Sequence, residues 1–146
     1  MTYREILPED IGALFSVRTA TQENAFTLEE LHALGITEES VSRMLQSTHQ
    51  GWLCEVDGRV VGFCMGDRSS GEIWVLAVRP EFEGRGIGSE LLALTERPLW
   101  AAGYKKLWLL TGVDRSLRAY SFYRSRGWRE VGVEKNDLRM EKQQAE

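Results

Sequence analysis

The chain has 146 residues, 42% of them hydrophobic, and a formal net charge of −4. That length can bury one core, so residues 1–146 read as a single domain, and the acidic balance gives no general case for binding nucleic acid or an anionic membrane surface. No apolar run approaches membrane-spanning length, and a start carrying Arg4, Glu5, Glu9 and Asp10 without an apolar stretch predicts a cytoplasmic protein.

"TYREIL" reads as a short first strand. Pro8 suits a first helical turn, and Ile11, Leu14, Phe15 and the Val17–Arg18 pair follow at roughly helical spacing. Two more helix starts come next, Thr27 with Glu30 and Thr37 with Ser40, separated by Gly35. The period then changes. "GWLCEV", "RVVGFCMGD" and "EIWVLAV" are rich in β-branched and aromatic residues, joined by Asp57-Gly58 and Ser69-Ser70-Gly71, and predict a three-stranded antiparallel meander.

A two-residue turn at Asp57-Gly58 sets Cys54 opposite Val61 and Cys64 opposite Gly51. The two cysteines are then on opposite faces, which predicts buried free thiols rather than a disulfide, and their spacing fits no metal motif. By alternation Glu72, Trp74, Leu76 and Val78 share one face of the third meander strand.

Next comes "RPEFEGRGIGSELL", leading into a helix from about Ile87 with Leu91, Leu92 and Leu94 on its apolar side. Pro98 predicts a kink or an end near Arg97. "KKLWLLTG" is a fifth strand, "SLRAYSFYRSRG" a helix ended by Gly127, and "WREVGVE" with "LRMEK" a final hairpin around Lys135-Asn136-Asp137. The order is β-α-α-β-β-β-α-β-α-β-β, an α/β mixed sheet on one core. The five tryptophans fall mostly at strand positions and read as core.

Gly84, Gly86 and Gly88 need a reason, because glycine weakens a helix by roughly 1 kcal/mol relative to alanine. A strand running through a glycine loop into a helix presents free N–H groups and the positive end of the helix dipole. Without Cβ atoms a phosphate can reach those amides, and Arg85 adds a cation. A purely conformational role in turning the chain is the alternative. The P-loop ending is absent, and the dinucleotide fingerprint fails because Ser89, not glycine, stands three after Gly86.

Together, "LAVRPEFEGRGIGSELL" and "RAYSFYRSRGW" resemble the GNAT acetyltransferase superfamily, and the element order matches over nearly the whole chain. The resemblance implies a mostly antiparallel central sheet of about seven strands and acetyl-CoA as cosubstrate, with no metal. It implies cofactor contacts from the backbone of Leu76, Ala77 and Val78 and from Gly84, Arg85, Gly86, Ile87, Gly88 and Ser89. Ser116 stands where the family usually has asparagine, and Glu83 where it has glutamine or arginine. An acid there is expected to turn its side chain away from the pyrophosphate.

The same resemblance makes Tyr123 the acid for the departing thiolate, against a bland reading as a core aromatic. It makes Glu72 a candidate general base, against a solvated strand-end carboxylate. Asp67, Asp114 and Glu23 are weaker candidates, and many members use water alone. Glu23, Asn24 and Trp74 are candidate acceptor contacts; Arg18 reads either the same way or as surface charge. His32 and His49 are isolated. The predicted activity is N-acetyl transfer to a primary amine of a small molecule, peptide or protein; the alternative is a non-catalytic acetyl-CoA-binding regulatory module. The acidic chain leans slightly towards a cationic acceptor. Family members often form homodimers through their C-terminal strands, and the Trp128 hairpin could serve in that way.

Overall fold

The computed structural model describes residues 1–21 and 26–144. The chain forms β1 (Thr2–Glu5), α1 (Ile11–Ala20), α2 (Leu28–Ala33), α3 (Glu38–Ser47), β2 (His49–Val56), β3 (Arg59–Asp67), β4 (Glu72–Val78), α4 (Ile87–Ala101), β5 (Lys106–Gly112), α5 (Arg118–Ser125), β6 (Arg129–Glu134) and β7 (Asp137–Gln143). Both threonine starts are used, so three helices rather than two precede β2. The Thr27 hydroxyl accepts from the Glu30 amide at 3.0 Å and the Thr37 hydroxyl from the Ser40 amide at 3.1 Å, each reciprocated by the partner side chain.

The seven strands lie in the order β1-β2-β3-β4-β5-β7-β6. Every pairing is antiparallel except β4 with β5. Two buried clusters sandwich the sheet's first half. Leu14, Phe15 and Val17 of α1, Leu31 of α2 and Val41 of α3 meet Leu53, Phe63 and Met65 on one face. Leu91, Leu92 and Leu99 of α4 meet Cys54, Cys64 and Ile73 on the other. Helix α4 lies close to β3 because Gly62 and Gly66 stand beneath it. A Cβ on Gly62 would be 3.3 Å from Leu91, and one on Gly66 would be 3.0 Å from Thr95.

Two bulges overturn the simple alternation. Cys54 pairs with Gly62 and Glu55 with Val60, so Val61 is an extra residue. Cys54 therefore faces Gly62 rather than Val61, Cys64 faces Trp52 rather than Gly51, and both thiols join one buried cluster on the α4 side. They are free, and burial pushes the Cys64 thiol up to about 12. In β4, Val75 pairs with Met65 and Ile73 with Gly66, which leaves Trp74 as the extra residue. Glu72, Trp74, Leu76 and Val78 thus do not share a face: Trp74 packs with the α1–α3 cluster, Leu76 and Val78 with the α4 cluster.

Helix α4 also does not stop at Arg97. Pro98 sits in its last turn, where it forfeits only its own N–H bond, and the helix runs on to Ala101. Of the tryptophans only Trp128 is fully buried, its indole N–H donating to Glu96 at 3.2 Å. The other four are half-buried. No helix of the described residues is long and apolar enough to cross a membrane.

Candidate active site

Strand β4 pairs with β3 along most of its length, but on its other edge it meets β5 only at Glu72 opposite Trp108. Beyond that point the two parallel strands separate. The gap is a cleft of about 660 Å³, walled by β4 from Glu72 to Val78, by Leu110–Gly112 of β5, by the start of α4 and by one side of α5. The separation leaves backbone groups along the β4 edge without a strand partner, which is the condition for an extended ligand to pair there.

The glycine loop closes one end of this cleft. Gly84 (φ 77°) and Gly86 (φ 81°) are both left-handed, and Gly86 caps α4. A Cβ on either would meet no protein atom within 4 Å. Their first requirement is therefore conformational, and the space before them is open. Gly88 differs: a Cβ there would lie 3.4 Å from the Phe122 ring, so this glycine lets α5 approach α4. The first backbone bond of the helix runs from the Glu90 amide to the Gly86 carbonyl. Helix geometry therefore leaves the Gly86–Ser89 amides without partners in their own helix, at the positive end of its dipole.

Two cations, Arg118 at the start of α5 and Arg126 just past its last residue, lie beside that end. The Arg126 guanidinium donates to the Ser89 hydroxyl at 3.0 Å and lies over the Phe122 ring at 4.0 Å. Arg118 pairs with Glu83 at 3.3 Å. Glu83 lines the cleft, and its carboxylate is balanced by that neighbouring arginine. Arg85 lies over Phe82 at 4.9 Å and is not part of the cleft wall. Neither is Ser116, whose hydroxyl donates to Asp114 at 2.6 Å in the turn before α5. Sequence reading missed Arg118 and Arg126. Each stands four residues, one helical turn, from Phe122, the ring facing Gly88, and that spacing is the signal that could have found them.

Leu76, Ala77, Val78, Gly84, Gly86, Ile87, Gly88 and Ser89 all line the cleft, together with Glu72, Trp74 and Tyr123. The Tyr123 ring packs against Phe122 (5.3 Å between centroids) and Trp128 (6.1 Å), and burial raises its hydroxyl pKa above the usual phenol value. The Glu72 carboxyl is raised to about 7, first by burial and then by repulsion from Asp67 and Glu134, with Arg139 opposing. A carboxyl poised near neutrality in a cleft can take up and release a proton at physiological pH. Asp67 pairs with Glu72 across β3 and β4 and receives the Ser69 amide and hydroxyl. Glu23 and Asn24 lie outside the described residues.

An open parallel-strand gap leading to a glycine-capped helix N-terminus suits a long ligand with amides and a diphosphate. A family model for the acetyltransferase (GNAT) family matches residues 13–128. The chain belongs to the GNAT family. An acetyltransferase of Photorhabdus laumondii is 41% identical over 70 residues, covering 47% of this chain and 49% of its own. The amino-acid acetyltransferase of Azotobacter vinelandii is 29% identical over 136 residues, 90% of this chain and 28% of its own. The GNAT chain thus aligns with about half, or less, of the length of these curated relatives. Among solved structures, the PaiA N-acetyltransferase of Thermoplasma acidophilum in complex with coenzyme A superposes with a TM-score of 0.82. It is 21% identical and the match covers 99% of this chain and 100% of that one, a shared GNAT fold.

Proposed function

We propose that the chain is an acetyl-CoA-dependent N-acetyltransferase acting on a primary amine of a small molecule, peptide or protein by direct attack, with both substrates in the cleft at once. The observation that carries this reading is the continuous path from the open edge of β4 to the glycine-capped start of α4. Leu76, Ala77 and Val78 would pair with the amides of the pantetheine arm as an adjacent strand does. The first-turn amides of α4 would hold the pyrophosphate, with Arg126 and Arg118 nearby as cations. The amino-acid acetyltransferase among the relatives names one acceptor class to test.

The chemistry divides among few groups. An aliphatic amine has a pKa near ~10.4 in water and must lose a proton to attack. Glu72, held near 7, accepts that proton. A backbone N–H within Leu76–Val78 stabilises the oxyanion as the C–N bond forms. Tyr123, kept protonated by burial, donates to the sulfur as the C–S bond breaks. Glu72 passes the first amine proton to solvent and takes the second from nitrogen as the tetrahedral intermediate collapses; solvent then carries that proton to the phenolate, so one proton is released per turnover and the enzyme is restored.

The test is calorimetric titration with acetyl-CoA of wild type and Gly86→Glu, each checked for native circular dichroism, followed by thiol-release assays over a broad amine panel. Wild type should bind, and the variant should lose at least about 100-fold in affinity, since it adds a carboxylate at a helix N-terminus in a left-handed position. A folded wild type that does not bind acetyl-CoA removes the reading. Binding without turnover across the panel replaces it with a regulatory module that binds acetyl-CoA.

A further inference from the structure

We infer that Arg18 is a specificity residue that binds a carboxylate on the acceptor, so that the preferred acceptor is a small amine that also carries a carboxylate. This rests on the acetyltransferase reading above and names the substrate class for the same cleft.

Arg18 of α1 lines the cleft together with Thr21, Phe26 and Trp74. Its guanidinium lies over the Trp74 ring at 5.3 Å and over the Phe26 ring at 5.7 Å. Aromatic contacts of this kind engage the faces of the guanidinium and leave its in-plane N–H groups for a planar anion. The platform is itself held. Trp74 is the bulge residue of β4, its ring meets His49 edge-on at 5.4 Å, and the His49 ring shares a 2.6 Å hydrogen bond with the Thr48 hydroxyl.

Among the described residues this site holds no anion paired with Arg18. No carboxylate of the described residues forms a salt bridge with Arg18. Burial alone acts on its titration, and it lowers the pKa. A half-buried guanidinium without a counter-charge is costly, and a bound carboxylate relieves that cost through charge-assisted, bidentate hydrogen bonds. Of the acids that line the cleft, Glu83 pairs with Arg118, Glu72 feels the charges of Asp67, Glu134 and Arg139, and neither these nor Asp137 forms a salt bridge with Arg18. The cleft therefore offers a carboxyl for the reacting amine and, separately, a cation for a second group. This local arrangement outweighs the slight lean towards a cationic acceptor that the net charge of −4 suggests, because a contact charge in a cleft acts at short range and a net charge only steers encounter.

The experiment compares matched acceptors on the full-length protein saturated with coenzyme A. The standard L-amino acids, β-alanine and 4-aminobutyrate are each titrated by calorimetry against their carboxamides, and the same pairs are assayed for thiol release from acetyl-CoA. At least one acid should bind about 10- to 100-fold more tightly than its amide, the range expected for a hydrogen-bonded charge pair. Arg18→Met should abolish that preference mainly through KM, while acetyl-CoA affinity is unchanged, and Arg18→Lys should restore part of it. Amides that bind as well as or better than acids in every pair, or a preference that survives Arg18→Met, overturn the inference and leave acetyl transfer standing. Acids that bind selectively through Arg18 but are not acetylated remove the acetyltransferase reading and, with it, the assignment of Arg18 to an acceptor.

Discussion

The two ends of the cleft are built from different materials. The end proposed for the cofactor is mostly backbone: the open edge of β4, two left-handed glycines and the first turn of one helix. All of it comes from one contiguous stretch, residues 72–89. The end proposed for the acceptor is mostly side chain: Arg18 from α1, Phe26, and Trp74 and Glu72 from β4, with His49 behind. Backbone sites depend on conformation and tolerate side-chain change, as the Glu83–Arg118 pair illustrates. Side-chain sites depend on what each residue is. The same fold can thus keep one cosubstrate while its acceptor varies.

That contrast can be broken at several points. The largest effect is expected at Glu72. Wild-type kcat/KM should rise with pH through about 7 and level off above it, because the base works only when deprotonated. Glu72→Gln should lower kcat/KM by about 100-fold or more and erase the limb near 7, with acetyl-CoA affinity retained. A variant that keeps the limb assigns the base elsewhere. Tyr123→Phe should come next, lowering kcat by roughly 10- to 100-fold with little change in KM for acetyl-CoA. An unchanged kcat would leave Tyr123 as a core aromatic packed on Trp128.

The smallest effect sharpens the backbone side of the comparison. Arg126→Gln should weaken acetyl-CoA binding by only about 3- to 10-fold, since the amides and dipole of α4 remain. The loss should shrink at high salt, because exposed charges are screened. Calorimetry at two ionic strengths checks this. A loss as large as that expected of Gly86→Glu would mean that the guanidinium, rather than the helix start, holds the pyrophosphate.

By itself the sequence determined most of the element order and the glycine loop that opens α4. Glycine spacing, capping threonines and the Asp57-Gly58 turn act over a few residues, so their consequences are readable along the chain. Even the left-handed caps of α4 follow from glycine's lack of a Cβ. The bulges at Val61 and Trp74 were not readable, because a bulge inserts one residue against a partner strand and the partner enters only on folding. Those two insertions moved both cysteines to one face and separated Trp74 from Leu76 and Val78. The raised carboxyl of Glu72 needed burial beside Asp67 and Glu134, and Arg18 became a cation between two rings only when α1 was laid against β4. Tertiary structure decided these features because desolvation and ring contact depend on which distant residues meet.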